Sequence, residues 1–395
     1  ALLISSGLQF IFGIASAFVE NFKAFLLVRT CVGLMIGCTI PIAPTYITEI
    51  SPTSHRGKGQ VYIQAFFVIG MVYAMVLSKI FIGDLDSGNW RALLIFGALP
   101  SLIVLIGTWL YLMESPRFLI ATGNINKGIS VLNKMGAKNK GTIYYTLSIE
   151  DNDELIKYQK ALFENKHKEN WFTLFNAENR RATLCLMVSW FGLSHNFFGM
   201  VFILPLIFSA LEEQGITPSG QGINQLFLTM LGEIPAIIIA YFVIDRQRFG
   251  RKNSTLFSHI LAGVMFLGAF TFPQGSFIYF LIIARIFTKL AFITINPLTS
   301  ELYPTTYRTI AMGLTSGVGR LGASIMPLFV LELFDVNIFL PFAAFFVICM
   351  VMAVCIHAIP IEPCGKELDN VREEIKTVEK QKLEEVIEDK IDDML

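Results

Sequence analysis

Ten stretches of this chain are each long and apolar enough to cross a bilayer, a task that takes about 20 predominantly apolar residues in a helix. They run over about 2–19, 24–47, 60–82, 91–112, 183–211, 223–244, 255–273, 276–299, 309–332 and 336–360. One such run could be a buried core helix, but ten together point to an all-α membrane protein surrounded by the lipid bilayer. The runs are rich in Phe and punctuated by Gly, which suits helices that face lipid and pack through small residues. Only 16% of the 395 residues are charged, against about a quarter in soluble domains. The net charge is zero, so nothing suggests a nucleic-acid partner. The six cysteines show no metal or redox spacing and read as small core side chains. No cofactor is expected.

The loops orient the chain. Lys and Arg concentrate in "SHRGK" (54–58), in "RQRFGRK" (246–252) and across 113–182, whereas "GDLDSGN" (83–89) and "LEEQGITPSGQG" (211–222) are acidic. The positive-inside rule assigns the first group to the cytosol. On that face a charged phrase occurs twice, "TEISPTSHR" (48–56) and "SELYPTTYR" (300–308), aligned at an offset of 252 residues. The two copies imply parallel repeats about an axis along the membrane normal. The expected organisation is a four-helix bundle at 1–119, a cytosolic segment at 120–180 and a six-helix bundle at 181–361. An acidic tail at 362–395 follows, with Leu368, Val371, Ile375 and Val378 at heptad spacing. The tail reads as a solvated cytosolic helix or a short coiled coil that offers a route to a protein partner.

Several segments resemble the major facilitator superfamily of secondary transporters, and most of all its synaptic-vesicle-transporter-like, organic-ion and sugar-porter branches. They are "ESPRFL" (114–119), "WFGLSHNFFGMVFILPLIF" (190–208), "GEIPAIIIAYFVIDRQRFGRK" (232–252) and "ELYPTTYRTIAMGLTSGVGRLGASIMP" (301–327). Members of that superfamily carry twelve helices. The resemblance, with the partner of loop 245–251 falling ahead of Ala1 at the repeat offset, implies two further helices before Ala1 in the natural protein. The family's loop reads Asp-Arg-x-Gly-Arg. Here Gln247 takes the acidic position and Asp245 stands two residues early, which puts the usual ion pair of that loop in question.

The resemblance also assigns Glu49, Arg56, Glu114, Arg117, Arg251, Glu301 and Arg308 to an ion-pair latch at the cytosolic gate. Plain interfacial charges that fix topology are the alternative. Deep in the spans, ionisable groups are costly and usually functional. Glu233 precedes Asp245 by twelve residues and Arg320 follows Arg308 by twelve, a depth of about 18 Å at 1.5 Å per residue. Arg285 is similarly central, and His195 and Asn196 interrupt the fifth span. Glu233 and Arg320 either face the cavity, where they meet a charged substrate or a proton, or Glu233 pairs with Arg285 or Arg320 as structural glue. Trp190 is a candidate cavity aromatic, and Arg29 resembles a family arginine near the cavity.

The expected function is secondary active transport of a small organic solute by alternating access, as symport or uniport, with a proton or cation as the candidate coupling ion. An organic ion is favoured over a sugar, because the polar run typical of sugar porters is missing from the fifth span. A non-transporting receptor or a structural subunit of a membrane complex is the alternative. An enzyme is not expected, because no nucleophile–base motif appears. The location is a multi-pass position in the plasma membrane or a vesicle or organelle membrane, with the C-terminus cytosolic.

Overall fold

The structure is a computed structural model that describes residues 2–51, 55–82, 88–121, 124–140, 171–213, 229, 231–246, 249–272, 277–303, 308–360 and 362–364. Its described residues form α1 (Leu2–Phe18), α2 (Phe22–Ile50), α3 (Arg56–Phe81), α4 (Trp90–Tyr111), α5 (Pro116–Ala121) and α6 (Ile125–Lys140). A 3-10 turn (Trp171–Phe175) leads into α7 (Ala177–Glu213), α8 (Glu233–Val243), α9 (Lys252–Thr271), α10 (Phe277–Leu302), α11 (Arg308–Val336) and α12 (Leu340–Ala358). Eight of these helices are long and apolar enough to cross a membrane, and α1 and α8 are shorter apolar helices. Each overlaps one of the ten expected spans, and residues 223–228 and 230 of the sixth lie outside the described residues.

Several helices outrun their apolar stretch. α2 covers 22–50 rather than 24–47, and α7 begins at Ala177 rather than near 183. Apolarity marks the part of a helix that meets hydrocarbon, whereas backbone pairing continues until a cap or a proline stops it. Asn21 starts α2 by accepting the Lys23 N–H at 2.9 Å, and Asn89 starts α4 by accepting the Ala92 N–H at 3.1 Å.

The helix boundaries repeat at the offset of the charged phrase. α2 ends at Ile50 and α10 at Leu302, and α3 begins at Arg56 and α11 at Arg308. The phrase is therefore the junction between two consecutive helices, met twice. Pro52, Thr53, Pro304 and Thr305 lie outside the described residues, as do the acidic loop 83–87 and the tail beyond Cys364.

The chain divides into two compact units, residues 1–51 with 66–170, and residues 52–65 with 171–395. In the first, α1 packs on α2 and α4, and α5 on α2 and α6. Gly13 of α1 leaves room for Ala98 of α4, and Tyr73 of α3 donates its hydroxyl to the Phe96 carbonyl at 2.8 Å. In the second, α7 packs on α10, α11 and α12, and α9 packs on α10 and α12. Trp190, Leu193, Phe266, Ile295, Phe342 and Phe345 form part of its core. Close approach of α11 to α7 requires glycine at 319 and 322. A Cβ at Gly319 would sit 3.0 Å from the Trp190 carbonyl oxygen, and one at Gly322 would collide with that of Phe191.

The start of α3, residues 56–65, packs with the second unit. Val61 is buried with Ala236, Ala240 and Ile244, and Lys58 lies over the Tyr241 ring at 5.0 Å.

Candidate functional site

The second unit holds two charged clusters. The first lies among α7, α8 and α10, well inside the spans. Arg285 and Lys289 are one turn apart on α10 and share a face. Glu233, the first residue of α8, receives both. Arg285 donates to Glu233 Oε1 from Nε at 3.1 Å and from Nη2 at 2.6 Å, and Lys289 Nζ stands 3.2 Å from Oε2. All three side chains are at most 1% exposed. The Phe197 ring of α7 closes the cluster, with the Arg285 guanidinium 4.6 Å and the Lys289 ammonium 5.7 Å from its centroid. An aromatic face attracts cations, most strongly where water is excluded. Two cations thus meet one carboxylate in this cluster.

The second cluster gathers at the ends of α8 and α10, the start of α9 and the chain after α12. Arg251 is its hub. It contacts Glu301 through Nε at 3.1 Å and Nη2 at 3.2 Å, and Asp245 Oδ1 through Nη2 at 3.0 Å. Its Nη1 donates to the Ile244 carbonyl at 3.1 Å and to Cys364 Sγ at 2.6 Å. Burial opposes the charge on Arg251, but Glu301, Cys364, Asp245 and Glu362 outweigh it, and the pKa lies above the ordinary arginine value. Arg56 is near enough to act electrostatically on Glu301. Asp245 also accepts the Gly57 and Lys58 N–H groups at 3.0 and 3.1 Å, which caps α3. Glu362 does the same for α9, accepting the Arg251, Lys252 and Asn253 N–H groups at 2.7, 2.9 and 3.2 Å. A carboxylate at a helix N-terminus satisfies otherwise unpaired donors and complements the helix dipole. Gly250, at φ +54°, makes the turn that presents those groups, and a Cβ there would collide with the Glu362 carboxylate.

A family model described as sugar (and other) transporter matches residues 1–374. The chain belongs to this family. It is 28% identical over 374 residues to the synaptic vesicle 2-related protein of Pongo abelii, covering 90% of this chain and 65% of that protein. It is 27% identical over 400 residues to organic cation/carnitine transporter 7 of Arabidopsis thaliana, covering 93% and 78%. The chain thus spans about two thirds of the length of the synaptic vesicle 2-related proteins that it matches. Among solved structures it resembles the human organic anion transporter MFSD10, with a TM-score of 0.64 at 15% identity over 90% of this chain and 76% of that one. It also resembles the E. coli xylose transporter XylE in a partially occluded inward-open conformation, with a TM-score of 0.59 at 16% identity over 89% and 79%. These likenesses establish an all-helical membrane protein with the major facilitator fold.

Within that fold the residues expected to matter are distributed unevenly. Glu233 meets Arg285. Arg320 stands apart on α11, its guanidinium 5.7 Å from the centroid of Phe198. Trp190 donates its indole N–H to Thr299 at 3.0 Å and packs edge-on against Phe292. Asn196 ties α7 to α12 by donating to the Phe345 carbonyl at 3.1 Å, and His195 lies between the Phe329 and Phe345 rings. Arg29 is exposed on α2 in the first unit. Of the expected latch, Arg56, Arg251, Glu301 and Arg308 lie in the second unit, where Arg308 donates from Nε to the Tyr303 carbonyl at 3.2 Å. Glu49 and Glu114 lie in the first, both near Tyr46, whose hydroxyl donates to the Met113 carbonyl at 2.8 Å. The side chain of Arg117 lies outside what the structure describes.

Three participants escape the sequence reading. Lys289 was visible as a lysine inside an apolar run, four residues after Arg285. Asp245 was set in question by its early position, yet it pairs with Arg251. Glu362 lies 111 residues from Arg251, and no local pattern announces their meeting.

Proposed function

We propose that this chain is the transporting part of a secondary active transporter, which moves a small organic ion across a membrane by alternating access. The observation that carries the reading is the cluster of Glu233, Arg285 and Lys289. Buried charge at span depth is costly and marks substrate or ion pathways, and transporters place such sites near the midplane. The apolar wall around Phe197 gives the cluster a dry setting in which a charge is felt strongly.

In this reading the end of the second unit that carries Arg251 faces the cytosol, as the distribution of basic loops requires, and the tail is cytosolic. Glu49, Arg56, Glu114, Arg117, Arg251, Glu301 and Arg308 form the cytosolic gate. Such a gate need only shift two states that differ by a few kcal/mol. A coupling proton or cation would act at the buried cluster.

The test is uptake by the full-length natural protein reconstituted in liposomes, against a panel of organic anions, organic cations and sugars. Saturable uptake of an organic ion is the expected result. A stable, correctly inserted protein that moves nothing in the panel would overturn the reading in favour of a receptor or a structural subunit.

A further inference from the structure

The segment after α4 carries charge of one sign. Between Glu114 and Glu150 the chain holds Arg117, Lys127, Lys134, Lys138 and Lys140 and no acidic residue. Lys127, Lys134 and Lys138 follow one another on α6 at intervals of seven and four residues. At 3.6 residues per turn they fall within about 40° of each other, in a stripe about 16 Å long. All three are exposed, and none enters an ion pair among the described residues. Lys134 and Lys138, one turn apart, repel each other. The helix bears that cost on a face that no described carboxylate neutralises.

The fold sets this face beside the end of the spans. α4 ends in Trp109 and Tyr111, which are 75% and 74% exposed. Exposed Trp and Tyr at a span end mark the boundary between hydrocarbon and headgroups. The Tyr46 hydroxyl, near the end of α2, then holds the Met113 carbonyl, and α5 packs on α2. α6 is fastened to α5 in turn. The Asn124 N–H donates to the Leu119 carbonyl at 2.9 Å, and a Cβ at Gly128 would collide with Ile120. The lysine stripe lies about 100° round the helix from Gly128, clear of that contact. Val131 and Met135, both half-buried, occupy the arc between. The lysine stems can run along this apolar edge while the ammonium heads extend beyond it.

From this arrangement we infer that α6 is a docking surface for anionic phospholipid headgroups of the cytosolic leaflet. Lys127, Lys134 and Lys138 pair with the headgroup phosphates and carboxylates. That leaflet has a negative surface potential, and each basic residue close to it strengthens the attraction about fivefold, three together on the order of a hundredfold. The occupant is a lipid rather than a soluble anion, because the aromatic end of α4 and the apolar edge of α6 set the stripe where acyl chains accompany the phosphate. The inference uses the cytosolic orientation proposed above and is independent of the transport reading.

The test is native mass spectrometry of the purified full-length natural protein in detergent, titrated with dioleoyl phosphatidylserine or dioleoyl phosphatidylcholine. The serine lipid should bind about tenfold more tightly or better. A variant carrying Lys127→Gln, Lys134→Gln and Lys138→Gln should lose most of that preference at an unchanged melting temperature, because the three side chains are exposed. The corresponding three Lys→Arg changes should keep it. Equal binding of the two lipids to the unmodified protein overturns the inference without any variant. So does a folded triple Gln variant that retains the preference. Glycerophosphoserine, the headgroup without its acyl chains, is the competitor. Displacement of the lipid by an equal concentration of it would make the stripe a soluble-anion site and overturn the lipid assignment. None of these measurements involves uptake, so failure here is distinct from failure of the transport reading.

Discussion

Arg285 holds one oxygen of Glu233 with two N–H donors, at 3.1 and 2.6 Å, inside a pocket that leaves neither side chain more than 1% exposed. Lys289 takes the other oxygen. Because α8 supplies the carboxylate and α10 both cations, the cluster is a polar joint between two helices.

Glu233→Gln therefore acts on stability before it acts on transport. The change removes the charged acceptor that Arg285 and Lys289 share, and breaking a buried pair by removing one partner costs about 3–5 kcal/mol. Melting temperature and folded yield in detergent should both fall. Replacing all three charges by apolar residues of similar size should recover most of the loss. An unchanged melting temperature in Glu233→Gln would mean that the joint does not bear on folding.

Lys289→Met has the opposite signature. It leaves Glu233 and Arg285 as a neutral pair and nearly preserves volume, so stability should change by less than about 1.5 kcal/mol in either direction. Uptake should nevertheless change, because a charge at span depth has been removed. Flux and melting temperature measured on one preparation separate the two effects. A large drop in melting temperature would make Lys289 a structural residue.

At the helix-end cluster, Glu362→Gln keeps the shape of the cap and removes its charge. The loss of a charged acceptor from three amide donors should cost about 1–2 kcal/mol. Gly250→Ala should cost at least as much, since the left-handed turn is itself unfavourable for alanine by about 1–2 kcal/mol and the new methyl displaces Glu362. Thermal unfolding of the two variants and of the double variant gives the coupling between the sites. Additive effects would show that the turn and the cap act independently.

Cys364 supplies a pH-dependent readout. Burial pushes its thiol pKa above the usual 9.0, and the nearby Arg251 charge only partly offsets the rise. The folded state therefore holds this proton more tightly than the unfolded chain does. The resulting stabilisation is complete below about pH 9 and is lost as the pH rises beyond it. Maleimide labelling of Cys364 in the folded protein should be much slower at neutral pH than in the unfolded chain, and should accelerate with alkali. Immediate labelling at neutral pH would contradict the buried contact with Arg251.

The spans were legible in the sequence because lipid imposes one demand, a long apolar run, that each helix meets by itself. The junction charges were legible because a phrase that occurs twice marks equivalent positions, and the ends of α2 and α10 and the starts of α3 and α11 recur at its offset. Partnership was harder to read. Glu233 offered Arg285 and Arg320 as equal candidates by depth alone, and the choice depends on which faces of α10 and α11 turn towards α8. Lys289 was hidden for the same reason, since its significance lies in sharing a face with Arg285. Asp245 looked misplaced because the family spacing assumes one loop shape. The turn at Gly250 brings Arg251 back onto it.

The cap on α9 has a mechanical consequence. Beyond Cys364 the chain continues for 31 residues, an acidic stretch rich in Glu, Asp and Lys. Its point of attachment is Glu362, which is bonded to the backbone of Arg251, Lys252 and Asn253. A displacement of Glu362 would therefore be felt first in the hydrogen bonds around the hub arginine, which directly follows the left-handed turn and pairs with Glu301. The cap and the ion pairs of Arg251 are one mechanical unit, so neither can shift without loading the other.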